Sequence, residues 1–217
     1  MAEYLMNHYT KVYDDFLDPE ICDAYVSMFE ETMKKDADEV KKTSICTGPV
    51  RPDGHQICGN CNCQRMNPMG FDRFDHLNAL VMPKFQSAVE KYKKDVDLHP
   101  TQFPERLGWE EFRMKRFICG TGKEDDEQFG DHADVLTHEG AKRILILMVY
   151  LNDNFNGGET VFPVLGDQIK PVRGRLLMFP PTWTYLHRGN PPRLPGYAKY
   201  FLMTYLNYGN INDYYGK

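Results

Sequence analysis

Apolar positions follow a helical period in the first hundred residues and strand-like runs in the last hundred and ten. Ile21, Tyr25, Met28, Phe29 and Met33 recur at the spacing of one helix face. Asp18-Pro19-Glu20 before them reads as a helix start, with an acid at the cap and proline in the first turn. Residues 34–42 are a charged, solvated end, and 43–70 are expected to be irregular, with Gly, Pro, Asn and three closely spaced cysteines. Phe74, Leu77, Val81, Phe85, Ala88 and Tyr92 give a second helical stripe, which Pro83 is expected to kink or split. After Trp109 the texture changes. The run Arg143 to Leu151, the short Thr160 to Phe162 and the run Lys199 to Leu206 read as strands, with a turn at Gly157-Gly158. Val172 to Met178, with Gly174 inside, predicts a hairpin and a further strand. The sum is an α+β, mainly β fold: N-terminal helices packed on a C-terminal jelly roll.

Length and composition narrow this further. The chain has 217 residues, 41% of them hydrophobic, which favours one domain over 1–217, with helical support in 1–105 and a jelly-roll core in 106–210. The longest apolar run, Ile144 to Leu151, falls far short of the ~20 residues a membrane-spanning helix needs. A net charge of −5 argues against a bulk nucleic-acid binder, because phosphate contacts need clustered Lys and Arg. Six cysteines are too few for a disulfide scaffold, and the start MAEYLMNHYTK shows no charged leader followed by an apolar stretch. A reducing, cytosolic compartment is the expectation.

The sharpest candidate chemistry is His132-Ala133-Asp134 with His187 downstream. In a strand, residues i and i+2 share a face, so His132 and Asp134 can aim at one metal, and a third ligand from a neighbouring strand completes two imidazoles and one carboxylate. That set is the facial triad of non-haem Fe(II). His-x-Asp alone is common and reads equally as an ordinary loop pair. His55, Cys58, Cys61 and Cys63 offer soft ligands for zinc, but they are more compact than the usual two separated ligand pairs, and a loop of thiols is the commoner outcome.

From Phe112 to about Tyr208 the text resembles the Fe(II)- and 2-oxoglutarate-dependent dioxygenases, in their prolyl 4-hydroxylase-like branch. The motifs are RMKRFICGTG, FGDHADV, LMVYLNDNFNGGETVFP, IKPVRGRLLMFPPTW, YLHRGNPP and KYFLMTYL, in the family's order. The resemblance implies a double-stranded β-helix with His132, Asp134 and His187 as iron ligands. It implies Lys199 as partner of the distal 2-oxoglutarate carboxylate, with Arg193 the alternative, and Tyr150 and Thr160 as further cosubstrate contacts. It implies Fe(II), 2-oxoglutarate, O₂ and ascorbate as reductant, and hydroxylation of a proline-containing peptide or protein with release of succinate and CO₂. A free amino acid or other small molecule is the alternative substrate. A non-catalytic jelly-roll binding module is the reading from another class, and loss of the triad or of Lys199 would favour it. Size and missing leader fit a bacterial or viral-host cytosol.

Two departures stand out. Phe117 occupies a position where family members often carry tyrosine, so packing or another donor must serve there. The loop Gly120–Gly130 is longer than usual and acidic, which favours a substrate with basic residues. Phe129 and Trp183 are candidates for the substrate wall.

Overall fold

The computed structural model describes residues 7–36, 38, 40, 56–58, 61–119, 128–138 and 140–209. Two antiparallel sheets face each other. In the first, β1 (Lys11–Tyr13), β10 (Leu176–Phe179), β7 (Arg143–Tyr150), β12 (Ala198–Tyr208) and β5 (Arg113–Ile118) lie side by side in that order, and β4 (Leu107–Trp109) pairs with the end of β12. In the second the order is β9 (Asp167–Ile169), β8 (Thr160–Phe162), β11 (His187–Gly189) and β6 (Phe129–His132). β3 (Cys61–Met66) joins them: Gln64–Met66 pairs with β5, while Cys61 pairs with Phe129 of β6. β2 (Gln56–Cys58) forms a hairpin with β3. This is the double-stranded β-helix arrangement that the apolar runs and the family resemblance anticipate.

The central strands β10, β7 and β12 of the first sheet are buried on both faces, which is why they read as near-continuous apolar runs. Their alternation sorts side chains into two cores. Leu145, Leu147 and Val149 of β7, Leu176 and Met178 of β10, and Tyr200, Leu202 and Leu206 of β12 pack toward the helices. Ile146, Met148 and Tyr150, Leu177 and Phe179, and Phe201, Met203 and Tyr205 face the second sheet. The same alternation turns Phe117 of β5 inward, whereas Met114 packs outward.

Two helices cover the outer face. α1 (Pro19–Lys35) buries Cys22, Tyr25 and Phe29 and starts with proline in its first turn. Asp18 holds the cap position without a side-chain capping hydrogen bond, so its contribution is electrostatic at most. α2 (Asp75–Asp95) runs unbroken through Pro83, so the proline does not split it. The stripe Leu77, Val81, Phe85, Ala88 and Tyr92 is buried on both sides of the proline, and this packing keeps the two halves one helix despite the lost backbone bond.

The structure corrects the sequence expectations in three further places. Residues 56–58 and 61–66 are strands within the region expected to be irregular. Gly174 does not head a hairpin, because β10 pairs with β1 and β7 while β9 pairs with β8. Gly174 instead sits at φ +81°, accepting hydrogen bonds from Phe16 and Leu17 N–H, and a Cβ there would collide with the Leu17 carbonyl oxygen. Finally, β6 ends at His132, so Asp134 lies just past the strand rather than on it.

Candidate active site

His132 closes β6 and His187 opens β11, and the two residues are direct partners across the antiparallel pair. Their rings lie 4.2 Å apart between centroids. Asp134 follows His132 in a loop that is tied down by its N–H and that of Val135, both donating to Pro181 O at 3.1 and 3.2 Å. One ligand atom from each of the three lies within 4.8 Å of the others, the sole such group of three among the described residues. The strand pairing thus brings together what sequence separates by more than fifty residues.

Hydrogen bonding presents these atoms for metal. His132 Nδ1 lies 2.8 Å from Gly130 O, and His187 Nδ1 lies 2.9 Å from Tyr185 O. A carbonyl only accepts, so each Nδ1 carries the proton and each Nε2 keeps its lone pair. His132 Nε2 and Asp134 Oδ2 are buried with no hydrogen-bond partner, the signature of atoms that await an ion. Burial pushes the His187 imidazolium down to about 4, keeping the ring neutral. For Asp134 burial opposes ionisation most, but His132 and His187 more than offset it and hold the carboxyl well below its usual range. The donor set fits Fe(II).

The pocket beside the triad spans about 430 Å³ with its open mouth and is lined by Phe117, Thr160, Lys199 and Phe201, among others. Lys199 is 2% exposed, donates to Gly158 O at 2.8 Å, and holds its ammonium over the rings of Phe117 and Phe201. Phe117 and Phe201 stack 5.7 Å apart, so ring packing fills the place of the tyrosine hydroxyl. Arg193, the alternative to Lys199, is exposed and off the pocket wall. Thr160 lines the pocket, whereas Tyr150 stands behind it and shares a 2.6 Å hydrogen bond with the Thr160 hydroxyl. Phe129 lies on the wall, its ring 3.5 Å from that of His132, and Trp183 is 80% exposed. The acidic loop 120–127, His55 and the side chains of Cys58 and Cys61 lie outside the described residues.

Sequence reasoning missed two features. One is Lys115, buried in the pocket wall two residues before Phe117 and signalled by strand alternation. The other is a brace under Asp134. Arg143 donates to Glu110 Oε1 at 2.7 Å and Oε2 at 3.0 Å, and to Asp134 O at 3.1 Å, while Arg113 adds a 2.6 Å contact to Glu110. Burial alone would raise the Glu110 carboxyl, but the Arg143 hydrogen bond and charge hold it below its ordinary value. A lowered folded value stabilises the protein above the unfolded value of about 4.3, and that stabilisation is lost as pH falls through the folded value. Glu110→Gln should cost about 2–4 kcal/mol at pH 7 by leaving Arg143 and Arg113 half-buried without their anion. In denaturant melts the gap between wild type and variant should shrink at pH 3.

A family model described as the 2OG-Fe(II) oxygenase superfamily matches residues 117–207, which include the triad and Lys199. A stretch of 42 residues is 45% identical to a protein of Acanthamoeba polyphaga mimivirus named "Putative prolyl 4-hydroxylase", covering 19% of this chain and 17% of that protein's length. Among solved structures, the viral collagen prolyl hydroxylase of Paramecium bursaria Chlorella virus-1, as its 2OG complex, aligns with a TM-score of 0.61 at 20% identity over 93% of this chain and 97% of that one. A Pseudomonas putida prolyl-4-hydroxylase aligns at 0.59 and 16%, covering 95% and 96%. At such identities the structures establish the fold. The fold and the three convergent side chains are of the kind a non-haem iron site requires. Residues 117–207 are thus similar to the 2OG-Fe(II) oxygenases, and the relatives the chain resembles are named prolyl hydroxylases.

Proposed function

We propose that this chain, taken as one dioxygenase domain, hydroxylates a prolyl residue in a peptide or protein. Per turnover, 2-oxoglutarate and O₂ are consumed, one oxygen atom enters the substrate C–H bond, and the other leaves in succinate as CO₂ is lost. The observation that carries the reading is a buried His-Asp-His set opening onto a pocket whose far wall holds a buried lysine. Iron(II) bound by His132, Asp134 and His187 supplies the oxygen activation and the oxidative decarboxylation.

The protein's own groups bind and orient. Lys199 faces the distal carboxylate of 2-oxoglutarate, which inside the fold requires a cation. Thr160 donates to the same carboxylate, and Tyr150 fixes the Thr160 rotamer from behind. Ile146, Met148, Phe179 and Met203 keep the reaction dry. The carbonyls of Gly130 and Tyr185 hold the two imidazoles in one tautomer. No helix of the described residues is long and apolar enough to cross a membrane. The proposal places the enzyme in a cytosol-like compartment, with ascorbate as a suitable reductant.

The test is succinate formation from 2-oxoglutarate with Fe(II) and ascorbate, with and without a proline-rich peptide pool read by mass. Succinate that rises with peptide, together with a gain of one oxygen atom, is the expected result. Succinate without peptide modification moves the substrate to small molecules, and no succinate under any condition overturns the reading.

A further inference from the structure

We propose that Lys115 forms a second anion subsite in the active-site pocket, beside Phe129 and apart from the Lys199 contact to Gly158, and that it takes a carboxylate of the substrate. The inference rests on the oxygenase reading above and narrows the substrate to one that carries a carboxylate close to the target carbon, whatever basic residues lie further along it.

Three observations carry it. Lys115 is 7% exposed and lines the pocket with the triad. On β5, Arg113, Lys115 and Phe117 share one face by strand alternation, and Phe117 points into the pocket, so Lys115 is placed there by the backbone. Second, its ammonium has aromatic faces for neighbours: it lies 4.7 Å from the Phe129 ring centroid and 5.8 Å from that of Phe201. No described carboxylate forms an ion pair with it, whereas Arg113 and Arg143 nearby share Glu110. Cation–π contacts lower the cost of burying a lysine without cancelling its charge. Third, the two lysines share the Phe201 ring but make different further contacts. Lys199 lies over Phe117 and donates to Gly158 O at 2.8 Å, which takes up one of its N–H groups. Lys115 belongs to the β5–β6 side, over the ring that stacks on His132.

Charge counting then assigns the ligand. Iron(II), the Asp134 carboxylate, Lys199 and the 2-oxoglutarate dianion sum to zero. Lys115 adds one positive charge in a largely water-excluded space, where an uncompensated charge is costly. A substrate carboxylate compensates it and at the same time fixes the substrate's position beside the metal. That carboxylate has two sources: the side chain of an acidic residue next to the target proline, or the α-carboxylate of free or C-terminal proline.

The experiment is calorimetric titration of the protein loaded with Fe(II) and 2-oxoglutarate without O₂, so binding is read rather than turnover. The probes are acetate, L-proline against L-prolinamide, and blocked peptides with Glu or Gln beside proline. Wild type should bind the carboxylate member of at least one pair about tenfold tighter than its amide. Lys115→Met should bring that preference below twofold and weaken acetate binding, while Lys115→Arg keeps both. The Kd for 2-oxoglutarate should stay within twofold, and the thermal midpoint of Lys115→Met should hold or rise, because an unpaired buried charge has been removed. The pair that shows the preference names the source. Equal binding of acid and amide in wild type, or a tenfold loss of 2-oxoglutarate affinity in Lys115→Met, overturns the subsite. So does a steep fall in its thermal midpoint, which assigns Lys115 to a structural ion pair. If no proline probe binds but acetate does so through Lys115, the subsite stands and the prolyl substrate falls.

Discussion

Asp134→Ala should abolish both turnover and the thermal shift that divalent metal gives the wild-type protein, while leaving the fold intact. A metal that binds only the folded state stabilises it by about 2.7 kcal/mol at a concentration of 100 times Kd. For a chain of this size that is a rise of about 5–10 °C in Tm. The three ligand atoms converge within 4.8 Å, so removing one carboxylate leaves two neutral imidazoles and no anion to balance a dication. The metal-free variant should fold but be somewhat less stable than wild type, because the folded protein favours the ionised Asp134, so its own metal-free melt is the baseline for the shift. His132→Ala is the less clean test. Its ring carries Phe129 at 3.5 Å and lies against His187, so removal opens a gap in the pocket wall as well as the metal site. The measurement is a pair of melts with and without Co(II), beside succinate release. A metal-dependent rise retained in Asp134→Ala would remove the triad from its assigned role.

The ease of reading this site from sequence has a physical basis. β7 and β12 are buried on both faces, so their composition is dictated locally and shows as RILILMVY and KYFLMTYL without reference to partners. The triad was legible because metal chemistry restricts residue types and the motifs kept their order. What escaped was set by tertiary context. β3 has the polar text CNCQRM and is a strand because it has β5 and β6 to pair with, not because of propensity. Pro83 reads as a breaker, yet the buried stripe on either side overrides it. The Glu110–Arg143 brace joins residues 33 apart and carries no local signature. Lys115 was readable in principle: in RMKRFI, period-two alternation puts it on the Phe117 face, and only its charge on a pocket-facing position marks it out.

Lys199→Met should weaken 2-oxoglutarate binding by about 100-fold or more while preserving the metal-dependent thermal shift. A carboxylate enclosed with its cation removed loses about 3–5 kcal/mol, and each 1.4 kcal/mol is a factor of ten. The effect belongs to this lysine because of where it stands. It is 2% exposed, its ammonium lies 5.3 and 5.6 Å from the Phe117 and Phe201 ring centroids, and its Nζ is fixed by Gly158 O at 2.8 Å, so the ammonium is oriented before any ligand arrives. With phenylalanine at 117, no hydroxyl stands on that wall to share the load, and the hydrogen-bonded Tyr150–Thr160 pair supplies one neutral donor at most. Methionine keeps the stem volume, so the Phe117–Phe201 stack should survive and the metal-loaded melt should match wild type. Arg193→Ala is the control: Arg193 is exposed, and its loss should leave the Kd for 2-oxoglutarate within twofold. Calorimetric titration of 2-oxoglutarate into the three Fe(II)-loaded proteins without O₂ reads the comparison. A large loss in Arg193→Ala with none in Lys199→Met would transfer the cosubstrate contact to the turn before β12. An equal loss in both would mean that the turn itself, rather than one ammonium, shapes that end of the pocket.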